Sequence, residues 1–260
     1  MSTWKFGGTD LTTFGSLTEL DDPNDIPDRR GEDITIPFKT GSVSISKYYD
    51  KRTMLFGLTL SSTSVSGLQT LMDNLKKLIG VRTEQTLEWT LDDASVRTAQ
   101  AKVDKKMQTR RLGPLAIRAV LEFTLAQPFF RSNTLYSIET TINASPKTFT
   151  VSNTGTVEER NAKITLTGPL ENTVITDTLT GVSLKYTGAI AGGEVVVIET
   201  NATGEYTAVK DGVTNVVGNI LDHSGSSALM VFEHGNNPMS VTDDIHTTGK
   251  VKFEFYPPYL

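Results

Sequence analysis

A chain of 260 residues with no cysteine must draw any chemistry from its three histidines, its carboxylates, its hydroxyls and its cations. His223, His234 and His246 stand 11 and 12 residues apart, not at the i, i+4 spacing that puts two imidazoles over zinc on one helical turn. Asp243-Asp244-Ile245-His246 gathers two carboxylates and an imidazole, but adjacent residues on a strand point to opposite faces. Gly-x-Ser-x-Gly, the strand-turn-helix setting of a hydrolase serine, does not occur. The acidic run Asp21-Asp22-Pro23-Asn24-Asp25-Ile26-Pro27-Asp28 has calcium-capable groups, yet Pro27 stands where a loop starting at Asp22 needs its turn glycine, and no glutamate closes the loop. A solvated turn accounts for it better. Gly192-Gly193 lacks the third glycine and the following helix of a phosphate-binding turn. The expectation is no catalytic residue, no cofactor and no metal.

The cations are more pointed. Between residues 94 and 131, Arg97, Lys102, Lys105, Lys106, Arg110, Arg111, Arg118 and Arg131 face only two acids, Asp104 and Glu122. No aromatic residue interleaves them between Trp89 and Phe123, which argues against stacking on bases. A solvated hairpin tip and a charged protein interface both remain open. On the second reading, Lys105, Lys106, Arg110 and Arg111 contact an acidic surface on an adjacent subunit or another protein.

The elements that must position these residues are mostly strands. Period-two alternation marks Ile34-Thr35-Ile36, Val43–Ser46, Leu55–Leu60, Lys163–Thr167 and Val251–Phe255. Gly, Pro, Asn and Asp clusters, among them Gly168-Pro169, Asp211-Gly212 and Gly235-Asn236-Asn237-Pro238, read as turns between them. One helix breaks the pattern: Leu68, Leu71, Met72, Leu75, Leu78 and Ile79 form a 3.6-residue stripe, with Ser66 and Gln69 spaced as a capping box and Gly80 placed to end it. Residues 96–125 read as a long hairpin with alternating arms and a basic turn at Thr109–Pro114.

Charge divides the chain in two. Residues 1–131 carry +2 and residues 132–260 carry −7, and Ala126-Gln127-Pro128-Phe129-Phe130-Arg131 ends the first pattern, placing a domain boundary near 131. Neither half is basic enough for a nucleic-acid binder. The start, Met1-Ser2-Thr3-Trp4-Lys5-Phe6, has no basic and apolar export pattern, and 18 apolar residues never run together; neither export nor membrane insertion is expected. Asn143-Ala144-Ser145 and Asn201-Ala202-Thr203 therefore read as incidental acceptors. A carbohydrate-binding module would stack an exposed ring on sugar, but Trp4 and Trp89 lie in the first half, and Tyr186 and Tyr206 stand at strand-like, core or cross-strand positions.

In order along the chain, Phe6-Gly7-Gly8-Thr9-Asp10-Leu11-Thr12-Thr13-Phe14-Gly15, Arg30-Gly31-Glu32-Asp33-Ile34-Thr35-Ile36-Pro37, Ala119–Phe123 leading to Gln127-Pro128-Phe129-Phe130, Ile164–Pro169, Gly193–Ile198, Gly235–Met239 and Phe253–Leu260 resemble segments of the distal tail protein family of long-tailed bacteriophages. The resemblance implies an all-β fold with one α-helix: a small β-barrel or split-barrel domain with a long hairpin over 1–131, then a galectin-like β-sandwich over 132–260. It further implies a virion subunit, a siphophage tail-tip or baseplate hub, made in the bacterial host cytoplasm. The first domain would close a homo-oligomeric, six-membered ring. The partners would be the tail tube protein, tail-hub proteins and receptor-binding or fibre proteins, with no sequence-specific nucleic acid. The alternative is a carbohydrate-binding adsorption module on the host surface.

Overall fold

The alternating segments fold as antiparallel strands. The protein is described from a computed structural model covering residues 3–30, 34–35, 42–43, 48–200, 206–222 and 230–260. His223, the acceptor at 201–203, Ile36 and Ser44–Ser46 of the expected strands, and most of the segment 30–37 lie outside the described residues. The chain divides into two compact units, Met1–Asn133 with Leu260, and Thr134–Tyr259.

The first unit is built from β1 (Thr3–Phe6), β2 (Thr9–Asp10), β3 (Ser16–Glu19), β4 (Arg29–Arg30), β5 (Ile34–Thr35), β6 (Ser42–Val43), β7 (Tyr48–Tyr49), β8 (Arg52–Ser61), α1 (Val65–Ile79), β9 (Gln85–Thr90), β10 (Val96–Lys102), β11 (Gln108–Gly113), β12 (Ala116–Leu125) and β13 (Phe130–Ser132). The main sheet runs β2-β1-β9-β10-β12-β8-β3, with β11 laid on β12. Between β1 and β8 lie four strand-to-strand steps, about 19 Å if the sheet were flat. Yet the rings of Trp4 on β1 and Phe56 on β8 are 4.9 Å apart, so the sheet is rolled. The 3₁₀ turn Leu11–Phe14 carries the chain from the β2 edge to the β3 edge in a few residues, which holds the two edges close. Gly15 makes that crossing possible: it has φ +152°, and a Cβ there would meet Thr59 O at 2.1 Å.

Trp4, Phe6, Phe56, Phe123 and Phe130 fill the roll, and Trp4 stacks on Trp89 at 5.3 Å. Helix α1 buries Leu68, Met72 and Leu75 in this core, as the stripe required. Its cap differs from expectation. Ser64, not Ser66, accepts a hydrogen bond from Gly67 N at 3.0 Å, while Gln69 bonds Asp73 at 3.0 Å, so no reciprocal box forms. Ser64 has the extended backbone a cap needs (φ −142°, ψ 155°), and the apolar stripe cannot reveal that α1 starts before its first buried leucine.

The second unit contains β14 (Tyr136–Thr141), β15 (Lys147–Asn153), β16 (Lys163–Thr167), β17 (Leu170–Glu171), β18 (Val174–Asp177), β19 (Ser183–Tyr186), β20 (Ala189–Ile190), β21 (Val195–Thr200), β22 (Tyr206–Lys210), β23 (Thr214–Asn215), β24 (Ile220–Asp222), β25 (Gly235–Thr242), β26 (Lys250–Phe255) and β27 (Pro258–Tyr259). A six-stranded sheet, β14-β26-β16-β21-β22-β23, and a five-stranded one, β15-β25-β18-β19-β24, share one core. The rings of Phe149 on β15 and Phe253 on β26 meet across it at 5.8 Å. On β26, Val251, Phe253 and Phe255 are buried while Lys250, Lys252 and Glu254 face outward, the alternation visible in the sequence. Gly235-Asn236-Asn237-Pro238, expected as a turn, instead begins β25, with Pro238 opposite Thr150. Asn237 is buried there because its Nδ2 serves the carbonyls of Glu233 and Gly235 at 2.9 and 3.2 Å. Turn composition is thus spent inside a strand.

Candidate functional site

The expected hairpin over 96–125 is two structures. Strand β10 stops at Lys102 after pairing Ala101 with Leu125 and Lys102 with Thr124. The chain then breaks at residues 103–107 and returns as β11, paired with β12 from Gln108 opposite Val120 to Gly113 opposite Ala116. Arg110 and Arg111 therefore lie on a strand, not at a turn. The turn is Pro114-Leu115. The reason is local: Gln108–Leu112 is exposed on both faces, so it carries no burial alternation from which a strand could be read.

The same exposure makes this arm the leading interaction surface. Arg110 stands directly opposite Arg118, and Arg118 opposite Thr59 of β8. Like charges facing each other across strands are destabilising. No acid among the described residues is paired with Arg110, Arg111, Arg118 or Lys106. Lys105 differs, since its Nζ reaches Glu122 at 2.6 Å, and Lys102 pairs with Asp104 at 3.2 Å. Leu112 adds an apolar side chain, 54% exposed, beside Arg110 and Arg111. The arm is an edge strand with a cationic, partly apolar surface that its own unit does not complete. Of the four cations singled out from the sequence, Arg110 and Arg111 lie on β11 and point to its opposite faces, Lys106 lies in the break before it, and Lys105 is paired with Glu122.

An acidic cleft of about 260 Å³ lies elsewhere on the first unit, lined by Asp21, Asp22, Asp25, Ile26, Pro27, Asp28, Lys51 and Arg52. The local fold of the acidic run explains it. Asp22 Oδ1 accepts from Asn24 N at 2.8 Å, which holds its carboxyl below the usual range, and Asp21 accepts from Leu55 N at 2.8 Å. Arg52 is buried and donates to Pro23 O at 2.6 Å. Burial lowers its guanidinium pKa, with Asp25, Asp22 and Asp21 opposing the shift. Asp25 and Asp28 remain exposed. The sequence marked this run as a solvated turn; it did not show that the turn borders a cleft with an apolar wall at Ile26.

The residues with catalytic or metal-binding types have other work. Asp243, buried with 4% exposure, accepts from Glu171 N at 2.9 Å and Thr173 Oγ1 at 2.8 Å through Oδ2, and from Ile245 N and His246 N at 2.9 Å through Oδ1. Four donors occupy its oxygens, so it ties one loop to another. Asp244 bonds Asn172 Nδ2 at 2.9 Å. His246 is exposed, and exposed His234 turns Nδ1 to Gly155 O. Among the described residues, no three His, Asp or Glu side chains are grouped to hold a metal. Trp4, Trp89 and Tyr186 are buried, and Tyr206 is partly buried, its hydroxyl accepting from Met230 N at 3.2 Å.

No family model matches the chain, and no curated protein matches it. Among solved structures, SPP1 Dit (gp 19.1), described as a paradigm of the hub adsorption apparatus in phages infecting Gram-positive bacteria, superposes with a TM-score of 0.71 at 13% identity, over 100% of both chains. The phage p2 baseplate in its activated conformation, with Sr and with Ca, matches at a TM-score of 0.46 and 10% identity over 98% of each chain, too distant to add to the assignment. The chain has the all-β, one-helix fold of SPP1 Dit along its whole length.

Proposed function

We propose that this chain is a structural, non-catalytic subunit of a long-tailed bacteriophage tail tip, a distal tail protein acting as a hub in the virion. The observation carrying this reading is the full-length match in fold to a hub adsorption protein, with every residue of both chains covered. The first unit closes a six-membered ring below the tail tube protein, and Lys105, Lys106, Arg110 and Arg111 belong to its interfaces. The second unit, a galectin-like sandwich, docks tail-hub and receptor-binding or fibre proteins of the siphophage tip. The reading involves no sequence-specific nucleic acid and no membrane insertion; no helix among the described residues is long and apolar enough to cross a membrane. Light scattering and negative-stain images of the intact chain test it. Rings at six times the monomer mass are expected. A monomer at all concentrations, with no incorporation into tails when supplied to a phage lacking its own copy, contradicts it.

A further inference from the structure

Half of the acidic cleft on the first unit serves its own fold. Asp21 accepts from Leu55 N at 2.8 Å, and Asp22 accepts from Asn24 N and Nδ2 at 2.8 and 3.0 Å. Asp25 and Asp28 are exposed, and among the described residues neither carboxylate is hydrogen-bonded or ion-paired. Next to Asp25 stands Ile26, an aliphatic side chain 66% exposed. Exposed Lys51 and buried Arg52 oppose the four acids, which leaves the lining at −2.

Acids on a turn are ordinary solvated surface, but Arg52 is not. It lines the cleft with only 6% of the residue exposed. Its Nη2 donates to Pro23 O at 2.6 Å, and the guanidinium lies 5.6 Å over the Phe130 ring. Nη1 is buried with no hydrogen-bond partner, although four carboxylates border the same cleft. A buried donor without an acceptor is costly. The cleft therefore holds an N–H that its own unit leaves unanswered, next to two carboxylates that are also unanswered.

These groups specify an occupant. The void measures about 260 Å³, below the roughly 300–1,000 Å³ that encloses a whole small molecule, so it suits one side chain of a larger partner. Asp25 and Asp28 call for a cation, Ile26 for an aliphatic stem, and Arg52 for an acceptor oxygen attached to both. A metal ion or a polyamine brings charge without that acceptor, and an anion is repelled by the lining. A lysine residue in an extended segment has all three parts: an ammonium with three rotatable donors, a four-carbon stem that lies along apolar surface, and a main-chain carbonyl.

We propose that the cleft is a docking site for a lysine of a different protein, its ammonium between Asp25 and Asp28, its stem on Ile26 and its carbonyl accepting from Arg52 Nη1. The partner's source, another tail protein, rests on the function proposed above; the recognition chemistry does not. Titrating the intact chain with acetyl-Ala-Lys-Ala amide at low salt, followed by NMR, tests the site. Amide shifts confined to residues 21–28 and 51–54 are expected. Putting norleucine in place of the probe's lysine, or using the Asp25→Asn, Asp28→Asn chain, is expected to weaken binding at least about tenfold. Butylammonium, which keeps charge and stem but has no carbonyl, is expected to bind at least about tenfold more weakly than the peptide. Carbodiimide treatment of assembled tails, which joins a carboxylate to an amine in contact with it, is expected to link Asp25 or Asp28 to a lysine of another protein. Peptide shifts absent from the cleft, butylammonium binding as tightly as the peptide, or links only to a second copy of this chain each overturn the proposal. A chain that binds the peptide at the cleft but never enters tails supports the lysine site while the function reading fails.

Discussion

The contrast between the two units is sharpest at one arm of the first. In the second, named charges and buried polar groups are answered within the unit, as where Lys210 meets Glu194 at 2.6 Å and Lys250 meets Glu139 at 2.7 Å. Asn153 donates to the carbonyls of Val157 and Phe232 at 2.8 and 3.0 Å, and Asp243 accepts four hydrogen bonds. In the first, Arg110 and Arg111 sit on a strand exposed on both faces, and Arg110 stands opposite Arg118 of β12 in the ladder. The difference teaches where to look for assembly. Polar residues satisfied in place build the fold, whereas those left unanswered mark a surface that another molecule completes.

The sharpest way to break this contrast is in the cores. Trp4, fully buried and stacked on Trp89, should cost about 3–5 kcal/mol when replaced by alanine. Calorimetry should show the loss in the transition of the first unit, because the core of the second is a separate cluster; an equal shift of the whole profile would show that the cores are not independent. Asp243→Ala should cost on the order of 3 kcal/mol, since it strands buried amide donors. Urea titration measures it, and a variant as stable as the original would reopen Asp243 as a residue kept for chemistry.

These expectations also show how far the sequence could be read. The alternation of Val251–Phe255 and Lys163–Thr167 and the stripe from Leu68 to Ile79 translated directly into β26, β16 and α1, because burial on one face writes a period into the sequence. Strand β11 was invisible for the same reason: exposed on both faces, it has no period. The Gly235–Pro238 segment misled because buried Asn237 spends turn chemistry within a strand. The basic character of the arm was legible from composition, whereas its like-charge register and the acidic cleft depend on pairings between residues distant in sequence.

Smaller effects sharpen the local assignments. Ser64→Ala should destabilise by about 1 kcal/mol, and Ser66→Ala by clearly less, as judged by thermal unfolding; the reverse order would restore the capping box that the structure displaces. Arg110→Glu with Arg111→Glu should change monomer stability by less than about 0.5 kcal/mol while weakening assembly, with the deficit greatest at low ionic strength. A large loss of stability would mean that the arm serves its own unit after all.

The account stands or falls on which unit assembles. Residues 1–133 and residues 134–260 can be expressed separately and their masses measured by light scattering over a range of concentrations. The first is expected to form rings of six and the second, with its excess of acids, to remain monomeric. A first unit that stays monomeric while the second assembles would contradict it.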